Sequence, residues 1–566
     1  MLLPLVGIVG LLGIALLVFV AHLRVIRPRA AWGAWPDDAR DFTAIARYAD
    51  ARTPPGAAGT MDRRTWDDLT MDDVFRLLDR TESLVGRQVL YARLRAGRVA
   101  AHLHAFDALA SRFGVDETQR AVAQHALRAM RRVDACDLDW VTQPASCEPT
   151  AWHRLCLATG VLMAAALLAA PLFPILWLAL FAGAVVSLIV RVSATAQVRA
   201  ASHAFSQIGP LLTAAVALQR VASKADAPLT GALATELSSL TRLHRVARWA
   251  ARDATGAAAG HFSTGMLEYL NLIFCLDGIA MLFGAPALRS QADALRRVVH
   301  AVGEIDAALS VANYRAGTQE WRRPILQPDG MPAVLRGLRH PLLPGAVPNS
   351  MTLRPSDGVI ITGSNMSGKT TFLRTLGVNA VLAQTIFTSL ADWYEAPAFV
   401  VRTCIGRADD PSTGKSYFAV EVDLVLGLVQ ASRAQVPHLF LFDELFRGTN
   451  TVERIAAGEA VLHSLLLPMP DGSTVPHCVI AASHDLELID LLKGIYRPSH
   501  FADALDQVGL SFDYRLRDGV SRTRNAIALL NLRGAPTHLV ERAAARAKAL
   551  NAVYAALVDP EWSVEH

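Results

Sequence analysis

The chain has 566 residues, 52% of them hydrophobic and 19% charged, so it is long enough for several domains and too apolar for a disordered protein. A single small binding module is excluded. Lysine and arginine number 55 against 51 aspartate and glutamate, and this net charge of +4 is too balanced to announce nucleic acid by composition. Cys136, Cys147, Cys156, Cys275, Cys404 and Cys478 are scattered, with no CxxC pair and no histidine at metal-ligand spacing, which predicts reduced core thiols.

The first predicted element is residues 2–21, LLPLVGIVGLLGIALLVFVA, which carry no charge. Twenty helical residues span about 30 Å, the thickness of a bilayer core. No basic region precedes the segment, and Arg24, Arg27 and Arg29 follow it, so the expectation is an uncleaved anchor with the following chain in the cytoplasm. From about 41 to 150 the apolar residues recur at three- and four-residue steps, as in MDDVFRLLDRTESLVGRQVLYARLRA (71–96), which predicts helices.

Residues 155–190 are again free of charge, bounded by Arg154 and Arg191. One straight helix of that length would be about 54 Å, too long for one crossing. Pro171 and Pro174 break it, and arginine at both ends predicts a transmembrane hairpin with both ends cytoplasmic; the competing reading is one kinked, tilted span. Met266 to Phe283 contains Glu268 and Asp277, costly at a bilayer centre, and reads as a buried soluble helix. Residues 192–322 are helical and alanine-rich, interrupted by turn material at 225–231. Arg242, Arg245 and Arg248 there would either contact phosphates or form a solvated helix face.

After about 325, Pro324, Pro328, Gly330 and Pro332 mark a junction, and short β-rich runs then alternate with helices. That pattern predicts an α/β domain with a largely parallel sheet. Gly363, Ser364, Asn365, Met366, Ser367, Gly368, Lys369 and Thr370 spell GxxxxGKT, between the apolar run Val359–Ile361 and a helix opening at Thr371. Backbone amides of such a loop curl around phosphate, the lysine reaches the β and γ phosphates, and the Thr370 hydroxyl binds Mg²⁺. Further on, the apolar run of HLFLFDE delivers Asp443 to the metal and Glu444 towards the γ phosphate. CVIAASHD ends a third strand on Ser483 and His484, polar groups suited to sensing that phosphate.

These motifs resemble the MutS family of mismatch-repair ATPases, relatives of the ABC-type nucleotide hydrolases. TGSNMSGKTTFLRTLGVNAVLAQ (362–384) is similar to the family's P-loop, with Ser364 and Ser367 replacing a usual proline and glycine. DELFRGTNTVERIAAGEAVL (443–462) resembles its DELGRGTST segment with Phe446 for a glycine, and ASHDLEL (482–488) resembles its histidine switch. IGRADDPSTGKSYFAVEV (405–422), RHPLLPGAVPNS (339–350) and RTRNAIALLNLRGAPTHLVERA (522–543) are similar to further family elements in family order. Upstream, residues 72–95 are similar to the start of the family's helical core.

The resemblance implies ATP and Mg²⁺ as cofactors, Glu444 and His484 as catalytic residues, and Gly363 to Thr371 as the ATP cradle. Thr370 and Asp443 would hold the metal, and Ser416 would face the partner subunit's γ phosphate in a homodimer closed through the ATPase domains. No Phe-x-Glu wedge precedes the core, and no room is left for a connector or DNA clamp, so mismatch specificity is not expected.

The expected organisation mixes transmembrane helices, an all-α core and an α/β domain: an N-terminal anchor (1–23), a helical region with the start of the core (24–153) and a transmembrane hairpin (154–191). A helical core/lever domain (192–324) and a MutS-type P-loop ATPase domain (325–566) complete it. The function that follows is a multi-pass ATPase switch of the cytoplasmic membrane, facing the cytoplasm, in contact with lipid and DNA. The alternative is a membrane ATPase acting on a protein partner with no DNA role. An ABC exporter half fares worst, because three spans are few for a translocation path and LSGGQ is absent.

Overall fold

In this computed structural model the described residues are 32–34, 40–52, 60–143, 148–173, 175–221, 227–250, 273–405, 417–468, 472, 474–505, 510–520 and 526–557. The chain forms two compact units. The first comprises Met1–Arg52, Leu78–Ala92 and His104–Thr318, and the second Thr53–Leu77, Arg93–Leu103 and Gln319–His566.

The described residues of the first unit are helical and contain no strand. Its longest helix, Ala292–Gly317, has 26 residues and is buried over most of its length. Two polar groups on it hold the turn that carries the LLDRT sequence. Asp306 accepts from the amides of Glu82 (2.9 Å) and Ser83 (2.8 Å) and from the Ser83 hydroxyl (2.6 Å), and Ser310 donates to Leu78 O at 2.9 Å. A Cβ at Gly86 would lie 2.2 Å from Asp306 Oδ2, so this close approach requires glycine. Asp79, fully buried, takes Arg40, Arg87 and the Thr81 hydroxyl. Of the turn expected at 225–231, residues 227–231 instead open helix Ala227–Glu236, with Pro228 in the first turn, where a missing amide leaves no hydrogen bond unmade, and 225–226 lie outside the described residues.

Residues 151–192 form two apolar helices, Ala151–Ala169 and Leu176–Val192, packed side by side with the Pro171 region between them. Packing is close: a Cβ at Gly183 would fall 2.2 Å from Met163 Sδ, and Trp152 Nε1 donates to Val190 O at 2.7 Å. Helix Leu276–Ser290 lies against the first of the pair, where a Cβ at Gly160 would meet Ile279 Cδ1 at 2.8 Å. The remaining faces expose large apolar side chains, among them Leu162 (70%), Leu168 (82%) and Phe181 (72%).

Three membrane spans are not supported. Among the described residues only Ala151–Ala169 is long and apolar enough to cross a bilayer. The break at 170–175 leaves 17 residues in Leu176–Val192, about 26 Å of helix. The expected anchor at 1–23 lies outside the described residues.

The described residues of the second unit form three sheets. The largest has the order β12-β11-β5-β10-β9-β8, built from β5 (Gly358–Thr362), β8 (Val400–Cys404), β9 (His438–Asp443), β10 (Cys478–Ala482), β11 (Tyr496–Leu505) and β12 (Leu510–Asp518). All neighbours are parallel except β11 and β12. β5, β9 and β10 are apolar and almost wholly buried, as expected of strands covered on both faces. A four-stranded sheet of β2 (Ile325–Gln327), β7 (Trp393–Pro397), β3 (Ala333–Leu338) and β4 (Asn349–Leu353) is mostly antiparallel, and β1 (Trp321–Arg322) pairs with β6 (Ser389–Leu390). The sequence pattern gave no sign of these.

A buried histidine pair sits where β9 begins. The His438 amide donates to His477 Nδ1 at 3.1 Å, His477 Nε2 lies 2.7 Å from Ser432 O, and His438 Nδ1 lies 2.7 Å from Val436 O. Each ring therefore donates one N–H to a carbonyl in its neutral form. Burial, and for His438 the neighbouring His477, push both pKa values down, His438 to about 4. An unfolded histidine takes its proton near 6.5, so this contribution to stability is complete above that pH and is lost as pH falls towards about 4. Folding stability, read from thermal unfolding, is expected to fall between about pH 7 and pH 5, by up to about 1.4 kcal/mol per pH unit for each histidine. His438→Asn should flatten that slope; calorimetry showing the same slope in the variant would assign it to other groups.

Candidate nucleotide site

Parallel pairing brings the three motifs to one edge of the main sheet. Ala482 of β10 lies level with Ile361 on one side and Asp443 on the other, so the residues that follow β5 and β10 and the end of β9 stand side by side. Ligands bind at these carboxyl ends in open α/β sheets. The loop 363–368 leads into helix Lys369–Ile386, with Gly363 (φ +146°) and Gly368 (φ +109°) in conformations that other residues rarely adopt. A Cβ at Gly363 would sit 2.8 Å from Ser367 Oγ and 2.9 Å from Phe501 O, so the loop closes only around glycine.

Lys369 Nζ donates to the carbonyls of Gly363 (2.8 Å) and Ser364 (3.0 Å) and lies 3.4 Å from His484 Nε2. Asn365 Oδ1 is 2.8 Å from the same His484 nitrogen. Met366 is 83% exposed, while Ser367 is buried. Thr371 lies in the first turn of the helix and lines the cavity. Thr370 Oγ1 donates to Asp443 Oδ2 at 2.6 Å, and Asp443 Oδ1 is buried without a hydrogen-bond partner. Burial holds the Asp443 carboxyl up, partly offset by the Thr370 hydrogen bond. An orphan carboxylate oxygen beside a hydroxyl is a donor set that a hard divalent cation satisfies. Among the described residues no group of three or more His, Cys, Asp or Glu is placed to hold a metal, so further ligands would come from nucleotide and water.

Glu444 adopts φ +55° and its amide donates to Ala482 O at 2.9 Å. Its carboxylate lies 2.8 Å from His484 Nε2 and 2.9 Å from Arg447 Nη1. The hydrogen bond from His484 pulls its pKa below the ordinary glutamate range, with further help from Arg447 and Lys369, so it is ionised at neutral pH. Asp485, next to His484, is gripped by Arg454 in two hydrogen bonds of 2.9 and 2.6 Å. Sequence reasoning assigned no role to Arg447 or Arg454, although both stand inside the quoted 443–462 segment. Their spacing from Glu444 was the available signal. Ser416, the expected trans residue, lies outside the described residues.

A cavity of about 550 Å³ continues from this polar end to an apolar wall of Leu338, Leu343, Val347, Phe372, Phe501 and Tyr514. Asn349 ties the wall together, donating to Tyr514 O at 2.9 Å and accepting from Leu516 N at 2.7 Å. Asn379 does the same for the 339–390 segment, donating to Arg339 O and accepting from Leu390 N. His340, also in the wall, is held neutral by burial and by Arg374, with a pKa near 4. A polar cradle joined to an apolar slot of this size suits a nucleoside triphosphate.

Residues 359–551 match the family model of MutS domain V. The chain is 30% identical over 257 residues to "DNA mismatch repair protein MutS" of Natronomonas pharaonis, covering 44% of this chain and 29% of the relative. It is 31% identical over 261 residues to "DNA mismatch repair protein MutS 2" of Halobacterium salinarum, with 44% and 29% covered. The Thermus thermophilus protein "DNA mismatch repair protein MutS" is 32% identical over 272 residues, with 47% and 31% covered. The chain thus spans less than a third of the length of these curated relatives. Residues 359–551 thus correspond to a MutS domain V, the ATPase domain of MutS proteins, and this part of the chain is what the relatives share with it.

Proposed function

We propose that this protein binds and hydrolyses ATP in a homodimer to drive a conformational switch at the cytoplasmic membrane, and that it contacts DNA without reading mismatches. The observation that carries the reading is the single constellation of Lys369, Thr370, Asp443, Glu444 and His484 at the edge of the sheet. Lys369 and the loop amides hold the β and γ phosphates, while Thr370 and Asp443 hold Mg²⁺, which supplies charge stabilisation to the phosphate oxygens when bound. Glu444 orients the attacking water and takes its proton as the new O–P bond to the γ phosphorus forms and the β–γ bridging P–O bond breaks, leaving ADP and inorganic phosphate. His484, linked to Glu444, Asn365 and Lys369 through one nitrogen, registers loss of the γ phosphate. Ser416 of the partner subunit completes the site.

Membrane attachment rests on the apolar faces of the 151–192 helices, where side chains as large as Phe173 and Trp177 are exposed. Exposed apolar side chains on this scale call for a partner, and a helix pair free of charge between Arg154 and Arg191 suits lipid. DNA contact rests on the names of the relatives and on Arg242 and Arg245, both exposed on helix Thr241–Ala250.

The test is the ATPase rate of the detergent-solubilised protein alone and with homoduplex, mismatched and single-stranded DNA at stated salt, with the Glu444→Gln protein as blank. Stimulation by DNA, equal for matched and mismatched duplex, is expected. A DNA-independent rate would move the reading to a switch acting on a protein partner, and no hydrolysis at all would end it. In parallel, a chain lacking residues 1–23 should stay in membranes washed with alkaline carbonate; its release would remove the hairpin as an anchor.

A further inference from the structure

The backbone that presents Glu444 is strained at two places. Glu444 (φ +55°) and Phe446 (φ +58°) both adopt the left-handed conformation, on either side of Leu445. Non-glycine residues rarely adopt this conformation, and such strain persists only where the surroundings impose it. One side is held by β10, through the Glu444 amide and Ala482 O. The other is held from helix Tyr417–Ala431. Glu421 on that helix accepts the Phe446 amide at 2.6 Å, and Phe418, one turn before it, meets the Phe446 ring edge-on with centroids 6.2 Å apart. Phe446 is buried in the core with Leu445, Val425 and Ile455, while Phe418 is 38% exposed.

From this geometry we infer that Phe446 is a positioning residue for Glu444, and that the helix bearing Phe418 and Glu421 sets where the Glu444 carboxylate lies. A glycine at 446 would adopt the same φ without cost, but it would give Phe418 nothing to hold and leave the turn free to relax. The ring, rather than backbone preference, then keeps Glu444 within 2.8 Å of His484. Phe446 does not line the nucleotide cavity; it acts through the two residues before it. Movement of the helix is thereby transmitted to the group that orients water, and ATP binding at Lys369 and Thr370 is left alone.

This inference rests on the ATP-hydrolysis reading, and the experiment separates the two. Phe446→Gly is expected to lower kcat at least about tenfold with ATP affinity within about threefold of wild type, by steady-state kinetics and fluorescent-nucleotide titration. In a Glu444→Gln background the same substitution should have no further effect on kcat, a non-additivity that a general loss of stability would not produce. Phe446→Leu, which keeps apolar bulk, should restore part of the rate. If Phe446→Gly does not fold, Phe418→Ala, at a partly exposed position, is expected to lower kcat in the same way with an unchanged melting temperature. Wild-type kcat in folded Phe446→Gly, or in Phe418→Ala when that variant decides, overturns the inference. Absence of hydrolysis by the wild-type protein overturns the underlying reading instead.

Discussion

Glu444→Gln is expected to bind ATP with near wild-type affinity and to hydrolyse it at least about tenfold more slowly, a conservative bound against the roughly 10²–10⁴-fold that a positioned general base contributes. The carboxylate is placed for that role by three independent constraints. Its amide is fixed to β10, one oxygen faces His484 and the other faces Arg447. The His484 hydrogen bond and the nearby cations hold the carboxyl in its charged form, so the base is already deprotonated at neutral pH. Glutamine keeps the shape and much of the hydrogen bonding while removing the charge and the capacity to accept a proton. Binding is carried by Lys369 and the loop, which the substitution does not touch. Single-turnover hydrolysis beside a nucleotide titration separates the two effects, and a normal rate constant would remove Glu444 from the chemistry.

The parts of this site that were legible in the sequence are those in which chemistry and local structure coincide. GxxxxGKT demands a strand before it and a helix after it, and β5 and Lys369–Ile386 supply both. The apolar runs ending at Asp443 and Ala482 read as buried strands because a strand covered on both faces has no polar alternation. What escaped were features decided by tertiary contact. β2, β3, β4 and β7 are short and irregularly patterned, and they are strands because they pair with one another. The glycine that the resembled family carries in place of Phe446 hints at a left-handed position, but a phenylalanine alone does not announce one, and Glu421 and Phe418 hold it from another element. The start of Ala227–Glu236 carries turn-type residues, because Pro228 is compatible with a helix only in its first turn and the sequence does not show where that turn falls.

The organisation of the second unit leads to the other large effect: a fragment consisting of 319–566 alone is expected to fail to fold cooperatively and to bind ATP weakly or not at all. Residues 53–77 and 93–103 belong to the same compact unit although more than 200 residues separate them from it in sequence. Helix Arg63–Asp68 packs on β8, where Asp68 accepts from the Thr403 hydroxyl and the Ile405 amide, both at 2.9 Å. Its backbone carbonyl takes Arg374 of the P-loop helix at 2.9 Å. Leu69, fully buried, presses so closely on that helix that a Cβ at Gly377 would come within 2.6 Å of it. Arg93 and Ala100 donate to the carbonyls of Thr385 and Gln384 near the end of the same helix. Removing these segments strips several buried side chains, each worth about 1.5–3 kcal/mol, and orphans buried polar groups besides. Against a total stability of about 5–15 kcal/mol, that loss leaves no margin. Calorimetry and nucleotide titration of the fragment beside the full chain decide the matter. A fragment that melts cooperatively and binds ATP like the full chain would mean that the upstream helices decorate the ATPase fold instead of completing it.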